Sequence, residues 1–219
     1  MLPTPIVKDL DFDKVYEPSE DSFYLLDCFE IEKDFLVKKF TNQVPIITEI
    51  GTGSGIITTF LIQNILQDAI YITTDINPTA CVSAKATLLH NCKKKAHLVD
   101  STQMDLTSSI RNKTIDVLVF NPPYVPASEV PNLPTNDTDN KWLDLALLGG
   151  EDGMIITWKV LNNLENILSD EGVAYILFCA RNKPVQVAEI MRQKGWEVTT
   201  IINKKAGWEV LSILRFNKH

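Results

Sequence analysis

Residues 46–62 read IITEIGTGSGIITTFLI, which is a β-branched run, a glycine-rich turn and a second apolar run at helical spacing. The pattern predicts a strand at 46–50 that turns directly into a helix at 56–66. Glycines allow the backbone to turn tightly and to approach a ligand without a Cβ in the way. In an α/β sheet, a turn of this kind after the first strand is a common place for a ligand.

The same alternation of strand and helix continues on both sides of this stretch. A helix over 19–40 precedes it, and apolar residues at helical spacing predict helices over 78–90, 154–168 and 184–194. Further strands are predicted at 69–74, 115–120, 173–178, 197–202 and 208–216, and from Ala96 to Val99. Such alternation favours a parallel sheet with helices on both faces.

The last two predicted strands depart from this alternation of strand and helix. Only a short Asn/Lys/Gly turn separates the last two predicted strands, so they should pair antiparallel. A Rossmann-like, seven-stranded sheet that is mostly parallel and ends in an antiparallel strand is the outline of the class I S-adenosylmethionine-dependent methyltransferase fold. We therefore predict an α/β protein of this class.

The composition indicates one globular domain. A chain of 219 residues with 45% hydrophobic residues can bury one substantial core and is short for two. We expect residues 1–45 to form an N-terminal extension and helix, and residues 46–219 to form the core. No apolar run approaches the ~20 residues of a membrane helix, and Met1 to Leu10 do not resemble a secretory signal. A cytoplasmic location, with the nucleus as a second one, follows as an expectation.

Cysteine spacing and charge narrow the class of partner. Four scattered cysteines form no C-x-x-C pair, and the spacing of Cys81, His90, Cys92 and His97 matches no standard zinc finger, so no metal is expected. The formal net charge of −7 argues against a partner held mainly through phosphate contacts.

Acidic residues accompany the glycine turn and the next two strands. The carboxylate of Glu49 would repel a pyrophosphate but can attract the ammonium of an amino-acid moiety. Asp75 ends the second strand near the ~20-residue offset at which an acidic residue binds ribose hydroxyls, although a helix cap is its alternative role. Asp105 can accept from an adenine amine, with Leu106 against the ring; an ordinary turn aspartate is the alternative.

Asn121-Pro122-Pro123-Tyr124 directly follows the fourth predicted strand. The nitrogen of an amide or aromatic amine is a poor nucleophile because its lone pair is delocalised. Two acceptors aimed at its N–H bonds, the Asn121 side-chain oxygen and the Pro122 carbonyl, would orient the lone pair and stabilise the developing charge. Tyr124 can stack on the flat group. In isolation, however, the same four residues would more often be a structural turn that ends a strand.

Four segments together carry a family resemblance: YEPSEDSF at 16–23, EIGTGSG at 49–55, TDINP at 74–78 and FNPPYVP at 120–126. The chain resembles the HemK-type release-factor glutamine methyltransferases, in the short eukaryotic and archaeal branch that lacks a separate N-terminal helical domain. The resemblance implies S-adenosylmethionine as methyl donor, and it implies methylation of the glutamine in the Gly-Gly-Gln motif of the class 1 translation termination factor.

The resemblance also assigns roles to particular residues. It implies that the cofactor is contacted by Ser22, Glu49, Gly51, Gly53, Asp75, Asp105, Leu106 and Asn121. We expect Asn121, Pro122 and Tyr124 to be the catalytic residues, and these three with Pro123 to hold the substrate. A small zinc-binding activator protein is implied as a partner, and we expect it along the open edge formed by Ala96 to Val99. The proline-containing loop from Pro126 to Asn140 matches less clearly and is expected to be a lid or binding loop.

Two other functions remain open at this point. A nucleic-acid adenine N6-methyltransferase could use the same Asn-Pro-Pro-Tyr turn, although such enzymes normally carry more basic surface. A non-enzymatic cofactor-binding scaffold is the other alternative, and it would not need to retain the complete turn.

Overall fold

The computed structural model describes residues 2–134 and 141–218. They form a seven-stranded sheet in the order β3-β2-β1-β4-β5-β7-β6. The strands are β1 Ile46–Ile50, β2 Ile70–Asp75, β3 Val99–Gln103, β4 Ile115–Phe120, β5 Leu168–Cys179, β6 Glu197–Ala206 and β7 Glu209–Asn217.

The pairing directions confirm the predicted sheet. Strands β1 to β5 are parallel to one another. Strand β7 lies between β5 and β6 and is antiparallel to both. The β6–β7 connection is a two-residue turn at Gly207 and Trp208, because β6 extends four residues beyond its predicted end at 202, while β7 begins at Glu209, one residue after its predicted start. The class I methyltransferase fold is therefore present, with its antiparallel C-terminal strands.

Six α-helices complete the described chain, and they cover both faces of the sheet. On one face α1, α2 and α3 pack against Val117, Val119 and Tyr175. On the other, α5 and α6 pack against the alternate residues Leu118 and Ile176, as the period of two along a strand requires. The helices are α1 Glu20–Lys39, α2 Ile56–Asn64, α3 Pro78–Cys92, α4 Lys141–Leu147, α5 Ile155–Ile167 and α6 Pro184–Gln193.

The prediction of the third strand was wrong. Residues Lys93–Leu98, which include most of the predicted strand from Ala96 to Val99, form a 3-10 helix, and β3 begins only at Val99. The physical reason is that β3 is an edge strand with half-exposed and exposed side chains, and its sequence VDSTQ carries no apolar alternation. Ala96 and Leu98, two of the apolar residues in the predicted strand, belong instead to the 3-10 helix before β3.

The segment after the fourth strand is only partly described. Residues 126–134 of the predicted loop have no helix or strand, and its remaining residues, 135–140, lie outside the described part of the chain. Helix α4, which the sequence analysis did not predict, follows directly. Among the described residues, no helix is long and apolar enough to cross a membrane. Within 2–134 and 141–218, no group of three or more His, Cys, Asp or Glu side chains could hold a metal ion.

Candidate active site

A cavity of about 330 Å³ opens where β1, β2, β3 and β4 end. The carboxyl ends of parallel strands meet at one edge of a sheet, which is where α/β proteins bind ligands. Every residue that the sequence analysis assigned to the site lines this cavity: Ser22, Glu49, Gly51, Gly53, Asp75, Asp105, Leu106, Asn121, Pro122, Pro123 and Tyr124. The fold therefore brings together side chains from five separate segments.

The glycine turn forms the floor of the cavity. The Gly51 and Thr52 N–H groups donate to the Thr74 carbonyl at 2.8 and 3.1 Å, which ties the turn to the end of β2. Gly53 has a φ of 50°, and a Cβ at this position would meet no atom within 4 Å, so its backbone faces open space. Gly55 is required for a different reason: a Cβ there would lie 2.5 Å from the Ala84 Cα. The glycines therefore expose backbone to a ligand and allow α2 to approach α3.

Glu49 is a buried carboxylate, 2% exposed, at the base of the cavity. Its Oε2 accepts from the Thr52 hydroxyl at 3.1 Å, from the Thr58 N–H at 3.2 Å and from the Thr58 hydroxyl. Burial raises the pKa of Glu49 to about 7, although these hydrogen bonds oppose the shift. Because the three bonds share Oε2, Oε1 is left for a cationic ligand group.

Asp75 holds the turn and the following helix together. Its Oδ2 accepts from the Gly53 N–H at 3.0 Å, and its Oδ1 accepts from the Asn77 N–H at 2.9 Å. Burial raises the pKa of Asp75 to about 6 against these bonds. A carboxylate has about four acceptor positions, so acceptor capacity remains for a hydroxyl donor. The helix cap itself is made by Asn77, whose side chain accepts from the Thr79 N–H.

Asp105 and Leu106 form the side wall beyond β3. The Asp105 side chain is exposed, and its carbonyl accepts from the Ser108 N–H at 3.0 Å, so the residue starts a turn. Leu106 has a φ of 51°, which is uncommon for a residue other than glycine. It is half-buried against the apolar layer beneath α5. The arrangement presents an apolar surface beside a hydrogen-bond acceptor.

The Asn121 amide is oriented by a residue 100 positions earlier in the chain. Its Nδ2 donates to Asp21 Oδ2 at 3.0 Å, whereas its Oδ1 is buried and accepts no hydrogen bond among the described residues. Asp21 is itself 4% exposed, and its Oδ1 accepts from the Ser22 N–H at 2.6 Å. Since Asp21 occupies the donor half of the amide, the oxygen half is the part available to a ligand.

Two tyrosines enclose the same end of the cavity. Tyr16 and Tyr124 both line it. Burial, followed by the charge of Asp21, raises the pKa of Tyr16 to about 12, and the same two causes raise the pKa of Tyr124 further. Both hydroxyls therefore stay protonated near neutral pH, and neither is a candidate general base.

Sequence reasoning missed three features of this cavity. Asp21 was assigned no role in the site, although its carboxylate accepts from the Asn121 side chain. Val15 is 2% exposed and lies in the cavity wall. Trp142, on the unpredicted helix α4, also lines the wall, and its buried Nε1 has no partner among the described residues. The segment YEPSEDSF was the available signal for Asp21, but only the fold reveals which residue it faces.

The donor set suits an S-adenosyl group. Glu49 has one carboxylate oxygen without a hydrogen bond that can face a cation, Asp75 has remaining acceptor capacity for a hydroxyl, and Leu106 with Asp105 can hold a flat aromatic ring. Asn121, whose buried side-chain oxygen has no partner among the described residues, lines the same cavity. The arrangement can hold an amino-acid nucleoside and present an acceptor nitrogen to it.

Comparison with known proteins agrees with this chemistry. Residues 26–135 match the Methyltransferase small domain family. The eRF1 methyltransferase catalytic subunit mtq2 of Schizosaccharomyces pombe is 38% identical over 98% of this chain and 95% of its own length. Methyltransferase HEMK2 of Homo sapiens is 33% identical over 94% of this chain and 91% of its own length.

Solved structures agree as well. One similar structure is E. cuniculi Mtq2 in its complex with Trm112, a complex described as responsible for methylation of the eRF1 translation termination factor. The two chains superpose with a TM-score of 0.68 at 26% identity, and the match covers 94% of this chain and 99% of that chain. The human METTL16 catalytic domain, at 15% identity and a TM-score of 0.61, shares the fold. The chain is therefore a methyltransferase that belongs to the Methyltransferase small domain family, in the HemK-type group that includes mtq2 and HEMK2.

Proposed function

We propose that this enzyme transfers a methyl group from S-adenosylmethionine to the side-chain nitrogen of the glutamine in the Gly-Gly-Gln motif of the eukaryotic class 1 release factor. The names of its relatives support this substrate, since mtq2 is an eRF1 methyltransferase catalytic subunit and spans nearly the same length. We further propose that residues 1–219 act as one catalytic domain, with 1–45 as an N-terminal extension, in the cytoplasm.

The orientation of the Asn121 amide carries the proposal. The Asn121 Nδ2 group donates to Asp21, so the Oδ1 atom is left to accept a hydrogen bond from a ligand N–H or O–H group. The Pro122 carbonyl supplies a second acceptor one residue further along the turn. A planar –NH2 that donates to both has its lone pair directed out of plane, and the two oxygens stabilise the charge that develops on nitrogen.

Residues of this chain would hold the cofactor in a defined direction. We assign the ammonium to Glu49, the ribose hydroxyls to Asp75 and the adenine to Asp105 and Leu106, with Ser22, Gly51 and Gly53 completing the contacts. The bound cofactor supplies an electrophilic methyl group. Tyr124 would stack on the carboxamide plane, while Pro122 and Pro123 restrict the backbone that presents it. The nitrogen can lose its proton after transfer, so no tuned base is required.

Mass spectrometry of the release factor after incubation with the enzyme and cofactor tests the proposal. We expect a single +14 Da change (one CH2) on the Gly-Gly-Gln peptide and none on duplex DNA offered in parallel. Asn121→Ala should lower turnover by at least about 100-fold, since it removes an acceptor used in the transition state, and should change cofactor affinity far less. Methylation of DNA in place of the peptide would support the adenine alternative. Cofactor binding without methylation of either would support a non-enzymatic scaffold.

A small zinc-binding activator protein is proposed as partner, by analogy with the Mtq2–Trm112 complex. We place it along the edge strand β3, Val99–Gln103, rather than along Ala96 to Val99. Among the described strands, β3 pairs with β2 alone, so its outer backbone groups can pair with another chain. Exposed apolar side chains of the adjoining elements could extend this surface: Ile70 in β2, and Val82 and Leu89 in α3. Full activity of the purified, monodisperse chain at micromolar concentration would refute an obligate partner.

A further inference from the structure

The rear of the reactive turn is held by Asn182, which lies 58 residues further along the chain. Asn182 is 2% exposed and ends the short 3-10 helix Ala180–Asn182, directly after β5. Its Nδ2 donates to the Tyr124 carbonyl at 3.0 Å and to the Asp152 carbonyl at 2.8 Å, and its Oδ1 accepts from the Cys179 N–H at 2.7 Å. One buried amide therefore joins three segments of backbone.

Two glycines allow this junction to close. A Cβ on Gly149 would lie 2.1 Å from the Pro123 carbonyl oxygen, and a Cβ on Gly153 would lie 2.0 Å from the Tyr124 carbonyl oxygen. Any larger residue would push the turn away from this support. The segment 149–153 and Asn182 therefore contact the turn through the carbonyls of Pro123 and Tyr124, and they are not among the residues that line the cavity.

The two ends of the turn have different supports. Asp21 fixes the Asn121 side chain at the front, as described above. Asn182 fixes the Tyr124 carbonyl at the rear. Between these anchors lie the two prolines, which have no N–H with which to tie down their own backbone. The position of the Pro122 carbonyl then depends on both anchors.

We infer that Asn182 is a positioning residue for the methyl acceptor, acting through the backbone of the Asn121–Tyr124 turn. The inference rests on the proposed function, because it assumes that the acceptor amide is held by this turn. None of the residues assigned to the cofactor makes a hydrogen bond to Asn182 among the described residues. Loss of Asn182 should therefore lower kcat and leave the affinity for the cofactor intact. A displacement of about 1 Å at a reacting group costs on the order of 100-fold in rate.

Two substitutions and one matched control test this role. Asn182→Ala removes all three hydrogen bonds, and Asn182→Asp keeps the volume and the acceptor for Cys179 but loses both donated bonds. The control is Lys183→Ala, because Lys183 Nζ and Asp152 Oδ2, 2.8 Å apart and both more than half exposed, link the same two segments at the surface. We expect both Asn182 variants to lose about 10-fold to 100-fold in kcat, and Lys183→Ala to keep wild-type kcat.

Calorimetric titration with S-adenosylhomocysteine and thermal unfolding accompany the kinetics. A positioning role predicts a cofactor Kd within about twofold of wild type in the folded variants. Normal kcat in Asn182→Asp would overturn the inference, and so would a parallel loss of kcat and cofactor affinity. Unfolding of both variants at the assay temperature would also reject it, since Asn182 would then be a stability residue. Failure of the wild-type enzyme to modify the release factor would refute the proposed function instead, and this outcome is distinct because it does not involve the Asn182 variants.

Discussion

Two regions of this molecule bury carboxylates, and they do so in different ways. In the core, Glu32 Oε2 accepts from the Arg215 guanidinium at 2.7 Å and from the Tyr175 hydroxyl at 2.8 Å. At the candidate active site, buried Glu49 and half-buried Asp75 receive hydrogen bonds from threonines and backbone N–H groups, and no cation pairs with either among the described residues.

The difference shows in how the charge is stabilised. Burial of an ionised group costs several kcal/mol unless a partner offsets it. Arg215 provides this compensation for Glu32 within the fold, and it also stacks on Phe35 at 4.2 Å. For Glu49 and Asp75, burial instead raises the pKa to about 7 and about 6. We interpret the paired carboxylate as structural and the unpaired ones as groups whose compensation arrives with the ligand.

Removal of the cation from the core pair should have the largest effect. Arg215→Met leaves Glu32 buried without its guanidinium, and we expect a loss of about 3–5 kcal/mol in the free energy of unfolding. Urea denaturation measures it. Lys113→Met is the matched control, because the Lys113–Asp170 pair is exposed on both sides and should be worth less than about 1 kcal/mol. Equal effects of the two substitutions would remove the distinction between the buried pair and a surface pair.

The opposite pattern is expected in the cavity. Glu49→Gln keeps an oxygen for the Thr52 and Thr58 donors and removes the charge that the ligand ammonium compensates. Cofactor binding should weaken by about 1.5–3 kcal/mol, the range for hydrogen bonds to charged groups. The free energy of unfolding of the unliganded enzyme should not fall. Calorimetric titration measures the cofactor affinity, and urea denaturation measures the free energy of unfolding. A variant that is less stable but binds the cofactor normally would mean that Glu49 has a structural role rather than a binding role.

The stability of the free enzyme and its affinity for the cofactor should depend on pH with opposite signs. The pKa of Glu49 is raised in the folded state, so the folded protein binds more protons than the unfolded chain between about pH 4.5 and 7, and stability of the free enzyme falls as pH rises through this range. Asp75 acts in the same direction up to about pH 6. Cofactor affinity should instead rise, because the ammonium favours ionised Glu49, by at most about 1.4 kcal/mol per pH unit.

Titrations between pH 6 and 7.5 test this expectation, below the pH at which an α-amino group loses its proton near 8. Glu49→Gln should flatten the rise in affinity above pH 6. If the wild type showed no rise, or if the variant kept the same slope, Glu49 would not be the group that titrates on binding.

The smallest effect concerns the second donor to the core carboxylate. Tyr175→Phe removes a hydroxyl that donates to Glu32 but retains Arg215 and the edge-to-face contact with Phe29, whose ring centroid lies 5.0 Å away. We expect a loss of about 1 kcal/mol in the free energy of unfolding and no change in cofactor affinity. A loss as large as that of Arg215→Met would mean that the hydroxyl, rather than the cation, stabilises the buried charge.

The local pattern predicted most of the elements and failed at one edge. Strands β1 and β4 begin and end where the apolar runs do, because central strands are buried on both faces and need apolar residues throughout. The start of β3 was misplaced, since an edge strand needs few buried side chains and its polar sequence resembles a loop. Helix α4 was missed for a related reason: it is short, and only Trp142 in it is buried.

The sequence by itself determined the fold class and predicted the turn that we propose holds the methyl acceptor, because glycine turns, strand ends and the Asn-Pro-Pro-Tyr segment act through neighbours a few positions away. Only the tertiary structure decided which way the reacting groups face. The contacts of Asp21 with Asn121 and of Asn182 with Tyr124 join residues 100 and 58 positions apart. A hydrogen bond between such distant residues depends on how the helices and strands pack, and no periodicity within either segment records it.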